Sequence, residues 1–204
     1  MYKKDSMNSI IEEVKGCQRC ELWRYRQKPV VGEGSLDATI MLVAEAPGYN
    51  EDQQGRPFVG AAGKLLNEYL SSIGLSRDKV YITNVLKCRP SGNRDPRPDE
   101  IEACSPFLDQ QIKIIKPRLI VTLGRHSASY ILPKMGYSFR GMAGVHGKIF
   151  RGHLFNNAVT AIPTYHPAAA LYNPEYKHAI EEDFRVIRRE LKKLSYARDL
   201  REFI

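Results

Sequence analysis

No apolar run in this 204-residue chain approaches the roughly 20 residues needed to cross a bilayer. The opening stretch, MYKKDSMNSIIEEVKG, has no apolar core of the kind that drives secretion. These two absences predict a soluble protein of the cytoplasm. No internal repeat and no low-complexity tract is present, which argues against solenoids and disordered linkers. Cysteine is scarce, at four residues, and a chain of this length can bury a conventional core without a disulfide scaffold. A single domain over 1–204 is therefore expected, with 195–204 as a short C-terminal tail. Acidic residues are also in deficit, 23 against 31 Lys plus Arg, for a net charge of +8.

One tempting motif is incomplete. Gly60-Ala-Ala-Gly-Lys64 suggests a phosphate loop, but that loop needs a glycine where Phe58 stands and a Ser or Thr where Leu65 stands. An ATPase or kinase is a poor fit, and Lys64 is expected on the solvent face of a helix.

What is present alternates. Thr39–Val43, Val80–Val85, Arg118–Leu123 and Ala158–Ile162 are short, apolar and β-branched, the pattern of strands buried on both faces. Between and around them the spacing predicts helices over Ala61–Ile73 and Pro98–Ile115, one from Gly124 to before Pro133, and one from Glu175 to Leu194. A shorter helix is expected to run to Lys15. The last long helix carries Ile180, Phe184, Ile187, Leu191 and Leu194 on one stripe. Alternation of this kind predicts an α/β fold, a three-layer α/β/α arrangement around a central, mainly parallel four-stranded sheet. In such folds ligands bind at the carboxyl ends of the strands. The segments to inspect are thus Ala44–Gly60, Leu86–Arg97 and Pro163–Leu171.

The positive charge is concentrated. Residues 19–28 carry a net +3, residues 85–98 a net +3 and residues 134–153 a net +4. All three windows are loop-like, where binding residues are commonly displayed, and suit a polyanionic partner. The cysteines form a CxxC at Cys17 and Cys20, then Cys88 and Cys104. Four thiolates with a close first pair suggest a metal, either Cys₄ zinc or a [4Fe–4S] cluster.

Three strings fall at the three strand ends. They are Ala44-Glu-Ala-Pro-Gly-Tyr-Asn-Glu-Asp52 with Pro57-Phe-Val-Gly60, then Thr83-Asn-Val-Leu-Lys-Cys-Arg-Pro90, then His166-Pro-Ala-Ala-Ala-Leu171. With the cysteines, they resemble the family 4 uracil-DNA glycosylases, the iron–sulfur branch common in thermophilic prokaryotes, over residues 10–194. The resemblance implies a [4Fe–4S] cluster on Cys17, Cys20, Cys88 and Cys104. It implies a DNA partner containing uracil, single- or double-stranded, and a monomeric enzyme of base excision repair. No membrane partner is expected, and no sliding-clamp motif is evident.

The residue roles it implies match the chemistry of each side chain. His166 would donate to uracil O2 as negative charge develops there. Glu45 would orient water and stabilise positive charge on the sugar; family 1 relatives have an aspartate at the next position, where this chain has Ala46. Ala46, Pro47 and Gly48 would wrap the base, Phe58 would stack on it, and Glu51 would exclude a C5 methyl. Asn84 would read O4 and N3, provided that its amide is locked by neighbours. Leu171 is the candidate wedge, and Arg89, Arg94 and Arg97 are candidate phosphate contacts. The competing reading is a non-catalytic Cys₄ metal protein that binds nucleic acid.

Overall fold

IMLVA at Ile40–Ala44 and LIVTL at Leu119–Leu123 form neighbouring inner strands in which every residue is buried. In the computed structural model residues 2–202 are described, the side chains of 195–202 apart. The strands are β1 (Glu33–Gly34), β2 (Ile40–Ala44), β3 (Tyr81–Asn84), β4 (Leu119–Leu123), β5 (Phe150–Leu154) and β6 (Asn157–Thr164). They form one sheet in the order β1-β3-β2-β4-β6-β5. The inner four are parallel, and β1 and β5 pair antiparallel at the two edges.

The helices are α1 (Tyr2–Gly16), α2 (Tyr49–Gln54), α3 (Ala61–Ser72), α4 (Pro98–Ile115), α5 (Arg125–Lys134) and α6 (Pro174–Glu202). Successive strand residues point to opposite faces, so each inner strand feeds two cores. Met41, Val43, Tyr81, Ile120 and Ala161 pack with α1, α4 and α5 through Ile10, Phe107, Ile112 and Ile131. Ile40, Leu42, Ile82, Val121 and Ile162 pack with α3 and α6 through Leu66, Leu70, Ile180, Phe184 and Ile187. The result is the expected three-layer α/β/α arrangement.

The expected strand count of four is corrected to six. β1 is only two residues long and carries no periodic signal. β5 alternates partly exposed and exposed residues around Gly152, so it lacks the apolar run that marks the inner strands. It joins β6 through Phe155-Asn156, both with positive φ (51° and 65°), the geometry of a tight two-residue hairpin turn that usually advertises itself with glycine. α2 likewise sits inside the Gly- and Pro-rich Ala44–Gly60 stretch. α5 includes Pro133 instead of stopping before it, because a proline in a final turn removes only one backbone bond. α6 extends past Leu194 to Glu202, absorbing most of the expected tail, whose last two residues lie outside the described ones. No helix among the described residues is long and apolar enough to cross a membrane.

Candidate active site

Because β3, β2, β4 and β6 run parallel, their carboxyl ends share one edge of the sheet. Asn84 closes β3, Glu45 follows β2 and His166 follows β6. A cavity of about 350 Å³ opens there, lined by Glu45, Ala46, Pro47, Gly48, Glu51, Phe58, Asn84 and His166. All eight residues expected around a bound base thus meet in one place. Ala62, Pro90, Asn93, Arg94 and Ala168 complete the wall.

His166 caps the short 3₁₀ turn Pro167–Leu171, and its Nδ1 accepts the Ala168 N–H at 3.1 Å. A ring nitrogen that accepts cannot carry the proton, so the neutral tautomer has its hydrogen on Nε2. Burial disfavours the imidazolium and pushes His166 down to about 4, with the nearby Glu51 charge opposing. The ring is therefore a neutral Nε2 donor across the physiological range. Its neighbour across the sheet edge is Gly124 (φ +96°), where a Cβ would stand 3.3 Å from the His166 Cβ.

Phe58 stacks on His166, with ring centroids 5.5 Å apart and planes 23° apart. It adopts φ +53°, a strained conformation for an aromatic residue. The neighbouring backbone is clamped on both sides. Glu51 Oε1 accepts the N–H groups of Val59 (2.8 Å) and Gly60 (3.1 Å). Arg77 donates to the carbonyls of Pro57 (2.7 Å) and Phe58 (3.2 Å) while gripping Glu33 at 2.6 and 3.0 Å. Arg77 and Arg56 together hold the Glu33 carboxyl below its usual range against the opposing effect of burial. Glu51 thus braces the Phe58 loop as well as lining the cavity.

Asn84 is buried at the end of β3, but no described residue hydrogen-bonds its side-chain amide; only its carbonyl is held, by Lys87 Nζ at 2.7 Å. Any restraint on the amide by its neighbours therefore comes from packing around this buried side chain. Glu45 is half-buried. Burial raises its carboxyl above the usual range, and the closest opposing influence is His126.

The four cysteines are unbridged and line one small enclosed cavity with Val14, Trp23, Arg26, Lys87 and Phe107. Burial pushes Cys104 up to about 12 and raises Cys88 and Cys20 as well. Two donors already face the sulfurs: Arg26 Nη1 to Cys88 Sγ and the Lys87 N–H to Cys104 Sγ, each at 3.2 Å. Lys87 is fully buried, and its ammonium meets only neutral acceptors: Thr83 Oγ1 (2.7 Å), the Asn84 carbonyl (2.7 Å) and Gln111 Oε1 (2.8 Å). No carboxylate pairs with it. A buried cation costs several kcal/mol unless negative charge lies nearby, and thiolates around a metal would provide that charge. The donor set fits such a group.

The basic windows are less available than the sequence suggests. Lys87 is interior, Arg94 is bound bidentately by the buried Glu100 at 2.5 and 2.9 Å, Lys134 pairs with Asp109 and Arg151 with Glu190. Arg94 thus lines the cavity with its guanidinium already paired to a carboxylate. Arg97 is exposed, and Arg89 lies 5.1 Å over the Tyr49 ring while donating to Asn93. Leu171, the candidate wedge, is 43% exposed beside Tyr172 at 88%. Lys64 is exposed on α3, as expected. Arg77 and His126 escaped the sequence reading. Arg77 sits in a polar turn with no signal, whereas His126 follows the end of β4, a strand end left unexamined.

Comparison with known proteins agrees with this geometry. A profile of the Uracil DNA glycosylase superfamily matches residues 31–192. The chain is 57% identical over 185 residues to a type-4 uracil-DNA glycosylase of Sulfurisphaera tokodaii, covering 90% of this chain and 84% of that protein. It is 50% identical to one from Saccharolobus solfataricus (92% and 87% covered) and 46% identical to one from Archaeoglobus fulgidus (90% and 92%). With that match over most of its length, and with the strand-end strings gathered around one cavity, the chain belongs to the uracil-DNA glycosylase superfamily, in its type-4 branch.

Proposed function

We propose that this chain is a monofunctional uracil-DNA glycosylase that hydrolyses the C1′–N1 bond of a uracil swung out of DNA and leaves an abasic site. The observation that carries the reading is the convergence of Glu45, Phe58, Asn84 and His166 on one cavity from separate strand ends. Bond cleavage puts negative charge on the departing base and positive charge on the sugar. The neutral His166 donates its Nε2 hydrogen to uracil O2 as that charge grows, which favours the transition state over the ground state. Glu45, as a carboxylate, steadies the sugar cation and orients the attacking water. Phe58 offers a stacking face and Asn84 an amide pair for the base edge. Ala46, Pro47 and Gly48 enclose it, and Glu51 sets the position of the loop that carries Phe58. Leu171, Arg89 and Arg97 face outward, where DNA would lie.

Cys17, Cys20, Cys88 and Cys104 would hold a [4Fe–4S] cluster. All four line one small cavity, and Arg26 Nη1 and the Lys87 N–H already face two of their sulfurs, which supports a negatively charged metal–thiolate group there. Such a group supplies a rigid cross-link and the negative charge that Lys87 and Arg26 face.

The test is incubation of purified, metal-loaded protein with a uracil-containing oligonucleotide, followed by alkali cleavage. Wild type is expected to yield abasic product, and His166→Ala to lose about 10²–10³-fold in rate, the range for removing one such donor. No product from the wild type would reject the reading.

A further inference from the structure

His126 has no part in the mechanism above, yet it stands at its centre. Its Nε2 lies 3.6 Å from Oε2 of Glu45 and 3.4 Å from Oδ1 of Asp95. That nitrogen is closed off from solvent and completes no hydrogen bond in this structure. The nearest acceptors for a buried N–H at that position are these two carboxylates. Three neighbouring strands assemble the group: Glu45 follows β2, His126 lies in the first turn of α5 just beyond β4, and Asp95 comes from the connection after β3. Asp95 is tied in turn to Arg125.

We propose that His126 is a positioning residue for Glu45: its imidazolium, anchored by the Asp95–Arg125 pair, keeps the Glu45 carboxylate ionised and aimed at the attacking water. The inference rests on the reading of Glu45 as the water-orienting group. A half-buried carboxyl tends to take up a proton, and a protonated acid cannot steady a sugar cation or serve as the carboxylate acceptor for water. The charged groups facing Glu45 are few. Asp95 repels it and Arg125 attracts it, but these two largely cancel because they pair with each other. On the far wall His166 is neutral, Arg94 is neutralised by Glu100, and Glu51 is committed to backbone N–H groups. His126 is left as the group next to Glu45 that can carry the opposite charge. It touches neither base nor sugar in this scheme and acts through the carboxylate.

The test is the single-turnover excision rate as a function of pH, using metal-loaded enzyme in excess over a uracil oligonucleotide. Affinity for an abasic-site oligonucleotide is measured in parallel. Glu45→Gln is the reference and is expected to be slow, with no acid limb. In His126→Ala the acid limb is expected to move up by about one pH unit, so that the rate on the limb falls about tenfold while the alkaline plateau and abasic-site affinity hold. His126→Gln keeps the size and a donor but not the charge. It is expected to show the same displaced limb, and it carries the test if the alanine variant does not fold. An unmoved limb in the His126 variants, or a loss by one factor at every pH, would overturn the proposal while leaving Glu45 in place. A Glu45→Gln enzyme as fast as wild type would instead remove the premise.

Discussion

Gly63 lies inside α3, where exchanging glycine for alanine ordinarily stabilises a helix by up to about 1 kcal/mol. This site should behave in the opposite way. A Cβ built on Gly63 would overlap the carbonyl group of Phe58 and stand 3.0 Å from its Cα, against 3.4 Å or more for ordinary contact. The obstacle is backbone, so no side-chain rotation relieves it. Phe58 is held at φ +53° by Arg77 on its carbonyl and by Glu51 on the two following N–H groups, and it cannot withdraw without breaking those bonds. Overpacking of this kind costs about 1–3 kcal/mol, which exceeds the gain in helix propensity. Its functional effect should be larger. The carbonyl must retreat by about 1 Å, and a displacement of that size at a substrate-positioning group costs about 100-fold in rate. Gly63→Ala is therefore expected to be less stable by about 1–2 kcal/mol in urea unfolding and about 100-fold slower in single-turnover excision. A variant both more stable and fully active would show that the contact between α3 and the Phe58 loop is not what sets the cavity wall.

Two further outcomes follow from buried groups. Lys87→Met removes the cation facing the cysteine cavity and takes one donor each from Thr83 Oγ1, Gln111 Oε1 and the Asn84 carbonyl; in the metal-loaded protein, where thiolates complete the pair, breaking a buried charge pair costs about 3–5 kcal/mol, which for a chain of this size lowers Tm by roughly 6–20 °C. Thermal unfolding and the iron-to-protein ratio measure it, and wild-type values for both would refute the charge argument. His166 has its ordinary value near 6.5 in the unfolded chain and about 4 in the fold, so between those values the unfolded chain binds more protons. Its contribution is complete above about pH 6.5 and is lost as pH falls to about 4, a decrease of roughly 3 kcal/mol. Glu45, raised by burial, acts in the opposite direction, so the effect is read as a difference. His166→Gln should lose less stability than wild type between pH 7 and pH 4.5 in urea unfolding, and equal losses would contradict it.

Legibility followed burial and chain locality. The inner strands and long helices were readable because their burial is continuous or periodic, and Pro98–Ile115 appears with the expected bounds. The edge strands were not, since an edge is half-exposed and its hairpin turn uses Phe155-Asn156 in place of a glycine signal. The cavity residues were readable because each belongs to a short string directly after a strand. The residues that hold them were not. Arg77 reaches Phe58 across 19 positions and Glu33 across 44, and no local pattern reports such a contact. Charge was misleading for a similar reason. Composition shows how many basic residues a segment has, but not that Lys87 points into the core or that Glu100 already holds Arg94.

The short connection between β3 and α4 links these observations. Within it and at its borders lie Asn84 at the cavity, Lys87 between the Asn84 carbonyl and the cysteines, Cys88, the cavity-wall residues Pro90, Asn93 and Arg94, and Asp95 against His126. Val85, Leu86 and Cys88 at its start pack into the core, but residues 91–95 are partly or fully exposed, so the shape of the connection depends on tethers as well as on packing. They include Lys87 N–H to Cys104, Lys87 Nζ to Gln111, Val30 N–H to the Lys87 carbonyl, Arg26 to Cys88, Arg94 to Glu100, and Arg125 to Asp95. Two of these end on cysteine sulfurs. A metal group held by Cys17, Cys20, Cys88 and Cys104 would therefore fasten this connection to the end of α1 and to α4, fixing the Asn84 strand end and the Glu45 neighbourhood together. On that argument the metal would belong to the architecture of the pocket, leaving the proposed chemistry to His166 and Glu45.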